Sequence, residues 1–210
     1  GTWNPRKLKI KGEALGNVHY AIDYLKSPEY YKLGNKIIII GAGNVAVDAA
    51  RTMIRNGAKE VIILNREGES GITANKREFN DAVAEGLQVL NFKSVLEIKD
   101  DGVVLANTEI VEKDGNIDYD IDYSTERFYK CDSVVVAISQ GPRSNIVSTN
   151  KDLEINEKGL IITNIDGSTT KKGVFSGGDV VTGAKTVVEA VKMSKIIAEK
   201  MDEYLKEEFN

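Results

Sequence analysis

The run Gly41-Ala42-Gly43-Asn44-Val45-Ala46 spaces its small residues as a dinucleotide pyrophosphate site requires. Gly41 suits a tight strand-to-helix turn, and Gly43 lets the backbone approach a phosphate with no Cβ in the way. Ala46 stands where a third glycine often sits and is small enough for close helix–strand packing. N–H groups at the helix start, around Asn44 and Val45, together with the helix dipole, would hold the anion. The bland alternative is a glycine turn with a structural role alone. A short glycine motif is a weak signal until a strand precedes it and a helix and second strand follow.

Those elements are legible around it. Lys36 leads into four consecutive isoleucines, Ile37 to Ile40, an apolar β-branched run of the kind buried on both faces of a parallel sheet. Val45, Val47, Ala49, Ala50 and Met53 suit a helix packed on that sheet, closing near Asn56-Gly57 with the glycine in the left-handed position. A second strand is expected over 61–64. A polar, glycine-containing loop over 65–75 follows, then a helix over 76–85 stopped by Gly86. Asp48 and Arg51, three apart on the fingerprint helix, are expected to pair with each other or a neighbour.

The 210 residues, 41% hydrophobic and 29% charged, describe a soluble globular protein of one or two domains. A formal charge of -4 argues against a general nucleic-acid binder. No apolar run approaches the roughly 20 residues that span a bilayer, no secretory signal is visible, and a cytoplasmic location is expected. Cys131 is the one cysteine, so an internal disulfide, a C-x-x-C pair and a four-cysteine iron–sulfur set are all excluded within this sequence. A buried structural thiol is the expected role. His19, the one histidine, has no second histidine for a metal site and is expected to be structural or capping.

Elsewhere the first eight residues show no strand or helix pattern. Residues 16–25 read as a short helix with Asn17 as N-cap, ended by Ser27-Pro28. Residues 88–92, 94–98, 103–111 and 124–129 read as strands of a meander, with hairpin turns at Asp101-Gly102 and Asp114-Gly115. Tyr119, Tyr123, Phe128 and Tyr129 read as core or sheet-face residues rather than a stacking surface. Residues 133–138 return to the buried-strand pattern and should rejoin the parallel sheet. A short strand is expected over 160–163 and a long helix over 185–206. The fold class is therefore α/β, a Rossmann-like parallel sheet with an inserted antiparallel β meander.

Four separated stretches carry a resemblance: GTWNPRKLKIKGE (1–13), IIIIGAGNVAVDAARTMIRNGAKEVIIL (37–64), DSVVVAISQGPRSN (132–145) and GVFSGGDVVTGAKTVVEAVKMSKIIAEKM (173–201). In order and spacing the chain resembles the C-terminal part of the NADPH-dependent glutamate synthase small (beta) subunit family, flavoproteins with two dinucleotide-binding domains. The resemblance implies residues 1–30 as a linker and short helix leaving an FAD domain, 31–140 as the NAD(P)H-binding domain, and 141–210 as the C-terminal part of the FAD domain. It implies that Gly178, Asp179 and Val180 contact FAD, with Gly178 allowing close approach. It also aims the start of the last helix, around Thr186 and Val187, at the flavin. Without the resemblance, Asp179 reads as an ordinary turn residue beside a helix.

At the end of the second strand the ribose carboxylate of NAD-binding proteins is replaced by Asn65, followed by Arg66 and Glu67. The family's NADPH users place arginines here, and an Arg66 guanidinium can take a 2′-phosphate bidentately. Glu67 pulls toward a ribose diol, so NADP is favoured and NAD stays open; a solvated loop end is the bland reading. Ser139 and Ser194 depart from the family pattern, each standing where glycine is usual.

The sequence lacks the family's FAD glycine fingerprint and its cysteine-rich iron–sulfur region, so it reads as a portion of a longer flavoprotein, and this portion by itself would bind FAD weakly or not at all. In the intact protein the resemblance implies hydride transfer from NADPH to FAD and onward through iron–sulfur clusters to a large subunit or other electron acceptor. Hydride transfer between cofactors needs no acid–base side chain, and no catalytic residue is expected. Alternatives are a relative that serves ferredoxin or another acceptor, and a non-catalytic nucleotide-binding module. A thioredoxin-reductase-like enzyme is disfavoured by the missing C-x-x-C.

Overall fold

The computed structural model describes residues 1–113, 116–142 and 149–209. The chain divides into two compact units, Lys7–Ser139 and a second formed by Gly1–Arg6 with Gln140–Asn210. No helix among the described residues is long and apolar enough to cross a membrane.

In the smaller unit β1 (Asn4–Pro5) forms a two-stranded antiparallel pair with the strand Gln140–Gly141. The larger unit begins its sheet with β2 (Val18–Tyr20), which leads into the short helix α1 (Ala21–Tyr24). Next come β3 (Lys36–Ile40), α2 (Asn44–Arg55), β4 (Glu60–Asn65), α3 (Lys76–Ala84) and β5 (Gln88–Asn91). The meander is β6 (Lys93–Lys99), β7 (Gly102–Lys113) and β8 (Asn116–Lys130), after which β9 (Ser133–Val136) returns. The main sheet is wholly parallel, in the order β2-β9-β3-β4-β5, and the meander is a separate antiparallel sheet.

Because side chains alternate along a strand, the isoleucine run serves two cores at once. Ile37 and Ile39 join Val61, Ile63 and Val135 under the helices, packed on Ala46, Val47, Ala50, Met53 and Ala82. Ile38 and Ile40 join Ile62, Leu64 and Val134 on the other face, packed on Ile98, Val103 and Leu105 of the meander. The larger unit is thus three layers: helices, parallel sheet, antiparallel sheet. Helix α2 ends in a Schellman motif, Gly57 (φ +95°) donating to Ile54 O at 3.0 Å and Ala58 to Met53 O at 3.1 Å.

Several expectations need correction. Residues 16–25 do not form one helix. Val18-His19-Tyr20, poor helix formers, are captured as an edge strand parallel to β9, and only four residues remain helical. Asn17 caps nothing; its amide donates to Lys99 O (2.9 Å) and Asp100 O (3.1 Å), holding the meander's first turn. Residues 7–30 are therefore not a linker: β2 is a sheet strand and Tyr24 is in the core. The units divide after Arg6, not at 30/31, and again after Ser139.

Residues 88–91 belong to the parallel sheet beside β4, not to the meander. The first hairpin turns at Asp100-Asp101, and Gly102 is already paired with Lys99. The Asp114-Gly115 turn lies outside the described residues. Residues 160–163 make isolated bridges, Ile155 to Ile161 and Thr163 to Thr169, instead of a strand. Tyr123 and Phe128 are exposed, while Tyr119 and Tyr129 are half-buried. His19 is structural and not a cap. Its ring meets Tyr31 edge-on at 5.4 Å, and burial holds its imidazole below the ordinary range.

Cys131 is buried in the core beneath the meander. Burial, with the nearby Asp132 and Asp101 carboxylates, pushes its thiol up to about 12. A thiol reagent at pH 8 should therefore not label the native protein and should label one equivalent in denaturant. Since the folded value is raised from 9.0, Cys131 favours folding below about pH 9, and that contribution is lost as pH rises toward 12. Urea midpoints between pH 8 and pH 11 should fall less steeply in Cys131→Ala than in the parent.

Candidate nucleotide site

The chain leaves β3 for β4 on one side, and β9 returns on the other, so the sheet order reverses between β3 and β9. Open α/β sheets bind ligands outside the carboxyl ends of their strands at such a switch point. Gly41 is there. Its N–H donates to Leu64 O at 3.2 Å, and beside it Ala137 N–H donates to Ile40 O at 2.9 Å. Gly41 has φ +115°, and a Cβ on it would lie 2.5 Å from the carbonyl oxygen of Ala137. The fold itself demands glycine at this position.

Gly43 is different. As N-cap of α2 it has φ −90° and ψ 179°, extended backbone that any residue adopts. A Cβ there would meet Thr73 Oγ1 at 3.5 Å, an ordinary contact. Nothing in the protein's own packing requires glycine at 43, so the cradle it leaves is open to a ligand. Ala46 and Val47 N–H groups both turn to Gly43 O, at 3.0 and 3.2 Å. Those of Asn44 and Val45, at the start of a 12-residue helix, have no acceptor within it and face the dipole's positive end. Gly41, Ala42, Gly43, Asn44 and Val45 thus form one continuous edge at the α2 N-terminus.

The loop before α3 is bolted to this edge. Ala42 O accepts the N–H groups of Thr73 (3.1 Å) and Ala74 (3.2 Å), and Asn44 Oδ1 accepts that of Asn75 (2.8 Å). Asn75 in turn caps α3, accepting from Arg77 and Glu78. Thr73, exposed at the mouth of the cradle, had no signal in the sequence, where 65–75 was legible only as a polar loop.

At the end of β4, Asn65 is buried and fully occupied. Its amide donates to Gly68 O and to Asn91 Oδ1 (3.0 Å), and its Oδ1 accepts from Glu67 N–H (3.2 Å). It shapes the turn. Arg66 is exposed, paired with Glu67 Oε1 at 2.9 Å, and its guanidinium lies 6.0 Å from the centre of the Tyr119 ring. An exposed ion pair of this kind contributes little stability and leaves the cation exchangeable to a stronger anion. Arg51 binds elsewhere: it forks onto Glu85 with contacts of 2.7 to 3.2 Å, Arg55 adds another at 2.7 Å, and the two guanidinium groups hold Glu85 down at about 2. That cluster ties α2 to α3. Asp48 takes no part in it, and burial raises its carboxyl above the ordinary range.

In the smaller unit Gly178 has φ +72° and precedes the short helix Asp179–Thr182. Asp179 Oδ1 accepts from Lys185 N–H at 3.3 Å, and Val180 O accepts from Ile161 N–H at 2.9 Å. Thr186 and Glu189 form a capping box on the helix Val187–Phe209: Thr186 N–H and Oγ1 meet Glu189 Oε2 at 3.1 and 2.9 Å, and Glu189 N–H returns to Thr186 Oγ1 at 3.3 Å. Val187 is exposed at its start. Ser194, exposed, donates to Val191 O at 2.8 Å. Residues 143–145 of the third stretch of resemblance lie outside the described residues.

A family model described as pyridine nucleotide-disulphide oxidoreductase matches residues 1–194. The chain belongs to that family. Among its relatives, the NADP(+)-dependent formate dehydrogenase subunit beta of Moorella thermoacetica is 34% identical over 182 residues, covering 83% of this chain and 26% of the relative. The glutamate synthase [NADPH] small chain of Halomonas elongata is 29% identical over 228 residues, covering 98% and 48%. The chain therefore spans half or less of the length of these relatives. Solved structures share the fold: Mycobacterium tuberculosis FprA in complex with NADPH aligns with a TM-score of 0.76 at 18% identity, covering 99% of this chain and 63% of that one. Thioredoxin reductase from T. acidophilum aligns at 0.75 and 20% identity, covering 99% and 64%. The fold inferred from the sequence, a Rossmann-like parallel sheet with an antiparallel meander of the two-dinucleotide-domain type, is the fold that this chain shares with those structures.

Ser139, where the resembled family usually carries glycine, has φ +125°, a conformation side chains rarely adopt. Ser139→Gly should raise stability by about 1 kcal/mol, relieved strain outweighing the added freedom of the unfolded chain. Gly41→Ala should lower it by about 2–4 kcal/mol through strain and the Ala137 clash. Gly43→Ala should leave it within about 0.5 kcal/mol. Urea unfolding of the three variants beside the parent decides all three.

Proposed function

We propose that the larger unit is the NADPH-binding part of a flavin-dependent oxidoreductase of the glutamate synthase small-subunit type. The observation that carries this reading is Gly43, a cradle at the sheet's switch point that the fold leaves open although its own packing would accept a side chain. In this reading the α2 N-terminus takes the pyrophosphate and Arg66 takes the 2′-phosphate, exchanging its Glu67 partner for a doubly charged one. Asn65 orients Arg66 by shaping the turn and does not itself reach the ribose. The NADP(+)- and NADPH-named relatives described above support this choice over NAD.

FAD is assigned to the smaller unit. Gly178 offers room there, since a Cβ would meet only Ala190 Cβ at 3.8 Å within van der Waals range. Asp179 and Val180 would line the approach, and the start of the last helix, at Thr186 and Val187, would direct its dipole to the flavin. When bound, FAD supplies the chemistry that accepts a hydride and releases electrons singly. This chain's residues bind and orient, and none is assigned proton transfer. The electrons are taken to pass on, in a longer protein located in the cytoplasm, through iron–sulfur clusters to a large subunit. A second reading, an acceptor other than glutamate synthase, is favoured by the higher identity to the formate dehydrogenase subunit.

Titration of NADPH and NADH into the purified chain, followed by nicotinamide fluorescence, tests the site. NADPH should bind more tightly than NADH. Gly43→Ala should weaken both at least tenfold by blocking the pyrophosphate. Arg66→Ala should weaken NADPH about 10- to 100-fold, the loss of a charge-assisted phosphate contact, and leave NADH nearly unchanged. Absence of binding by either nucleotide below millimolar concentration would remove the nucleotide-site reading.

A further inference from the structure

Beyond Asn107 the meander loses its third strand. Strand β6 pairs with β7 as far as Lys93 with Asn107, and from Thr108 onward β7 and β8 continue as a two-stranded arm. Antiparallel pairing sets Thr108 opposite Ile121 and Ile110 opposite Tyr119. Thr108 and Tyr119 are therefore diagonal neighbours on one face of the arm. That face meets the turn after β4. Thr108, buried, donates its hydroxyl to Arg66 O at 2.6 Å. The Tyr119 ring lies beside the Arg66 guanidinium, and its hydroxyl is 3.4 Å from Ser70 Oγ, which itself donates to Glu67 O at 3.1 Å. Asp118 adds a charge: its carboxyl, held low first by Tyr119 N–H and Lys113, also feels Arg66.

We propose that Thr108 and Tyr119 are positioning residues for Arg66, so that the root of the meander's arm sets the preference for a 2′-phosphorylated nucleotide. This rests on the NADPH reading given above and deepens it. An exposed arginine that samples many rotamers gives up much of a phosphate contact to the entropy of ordering. Here the backbone of Arg66 is pinned by Thr108, and its guanidinium lies over the Tyr119 ring within the field of the Asp118 carboxylate. The cation is thus held in place before a phosphate arrives. Neither Thr108 nor Tyr119 needs to touch the nucleotide for this effect.

Two small probes isolate the subsite: 2′,5′-ADP, which carries the phosphate in question, and 5′-AMP, which lacks it. Tyr119→Leu should weaken 2′,5′-ADP about three- to fivefold, the range of an exposed cation–π contact, and leave 5′-AMP unchanged. Tyr119→Phe should retain most of the parent affinity. Thr108→Val, close in shape, should also weaken 2′,5′-ADP alone. In an Arg66→Ala background, Tyr119→Leu should have no further effect, because its action runs through the arginine. Equal weakening of both probes, no weakening of either, or an undiminished loss in the Arg66→Ala background would each overturn the proposal. If the parent binds both probes equally, the assignment of Arg66 itself falls and this proposal with it. If the parent separates the probes and Tyr119→Leu does not change the ratio, only the positioning role falls.

Discussion

Burial of the parallel sheet on both faces is the constraint on which the larger unit depends. Each isoleucine of β3 removed from water contributes about 1.5–3 kcal/mol of gross hydrophobic stabilisation, and alternate residues deliver it to opposite layers. A sheet covered only by helices α1 to α3 would leave Ile38, Ile40, Ile62, Leu64 and Val134 exposed as one apolar surface. The meander covers them with Ile98, Val103 and Leu105. Its presence is therefore a condition of the sheet's stability as well as an addition to its topology.

That two-sided burial also determines where the site lies. With β3 held between β4 and β9, its carboxyl end must turn in the narrow space beside Ala137, and only a residue lacking Cβ passes there. The turn then releases the chain into α2 with its first N–H groups outward. Gly41 and Gly43 look alike in a motif, yet the fold requires glycine at the first and would accept a side chain at the second.

Strands β3, β4 and β9 of the parallel sheet, the helices α2 and α3, the long last helix and the buried thiol were legible in the sequence, because each is dictated by a local period, cap or apolar run. What was not legible depended on distant partners. Val18 to Tyr20 became a strand because β9 offered a free edge, and residues 88–91 joined the parallel sheet because β4 offered the other. In the site, the glycine turn could be read from spacing, whereas Thr73 could not, since only the hydrogen bonds to Ala42 and Asn44 bring its loop to the cradle. Asn65 was legible as standing at the end of β4 in place of a carboxylate but not as a buried, fully bonded residue, because its partner Asn91 lies on another strand.

The meander joins these two lines of argument. Its inward residues at the β6–β7 end close the sheet's second core, and its arm beyond Asn107 reaches the turn that carries Arg66. The same strand, β7, contributes Leu105 to the core and, three residues on, Thr108 to the Arg66 backbone. A change that shifted β7 by one residue would turn Leu105 out of the core and Thr108 away from the turn together, since side chains alternate along a strand. Register in the second layer is consequently enforced by hydrophobic burial, and the placement of Arg66 inherits that enforcement. The turn that carries Arg66 does not need stability of its own; it draws its geometry from the core that the sheet already requires.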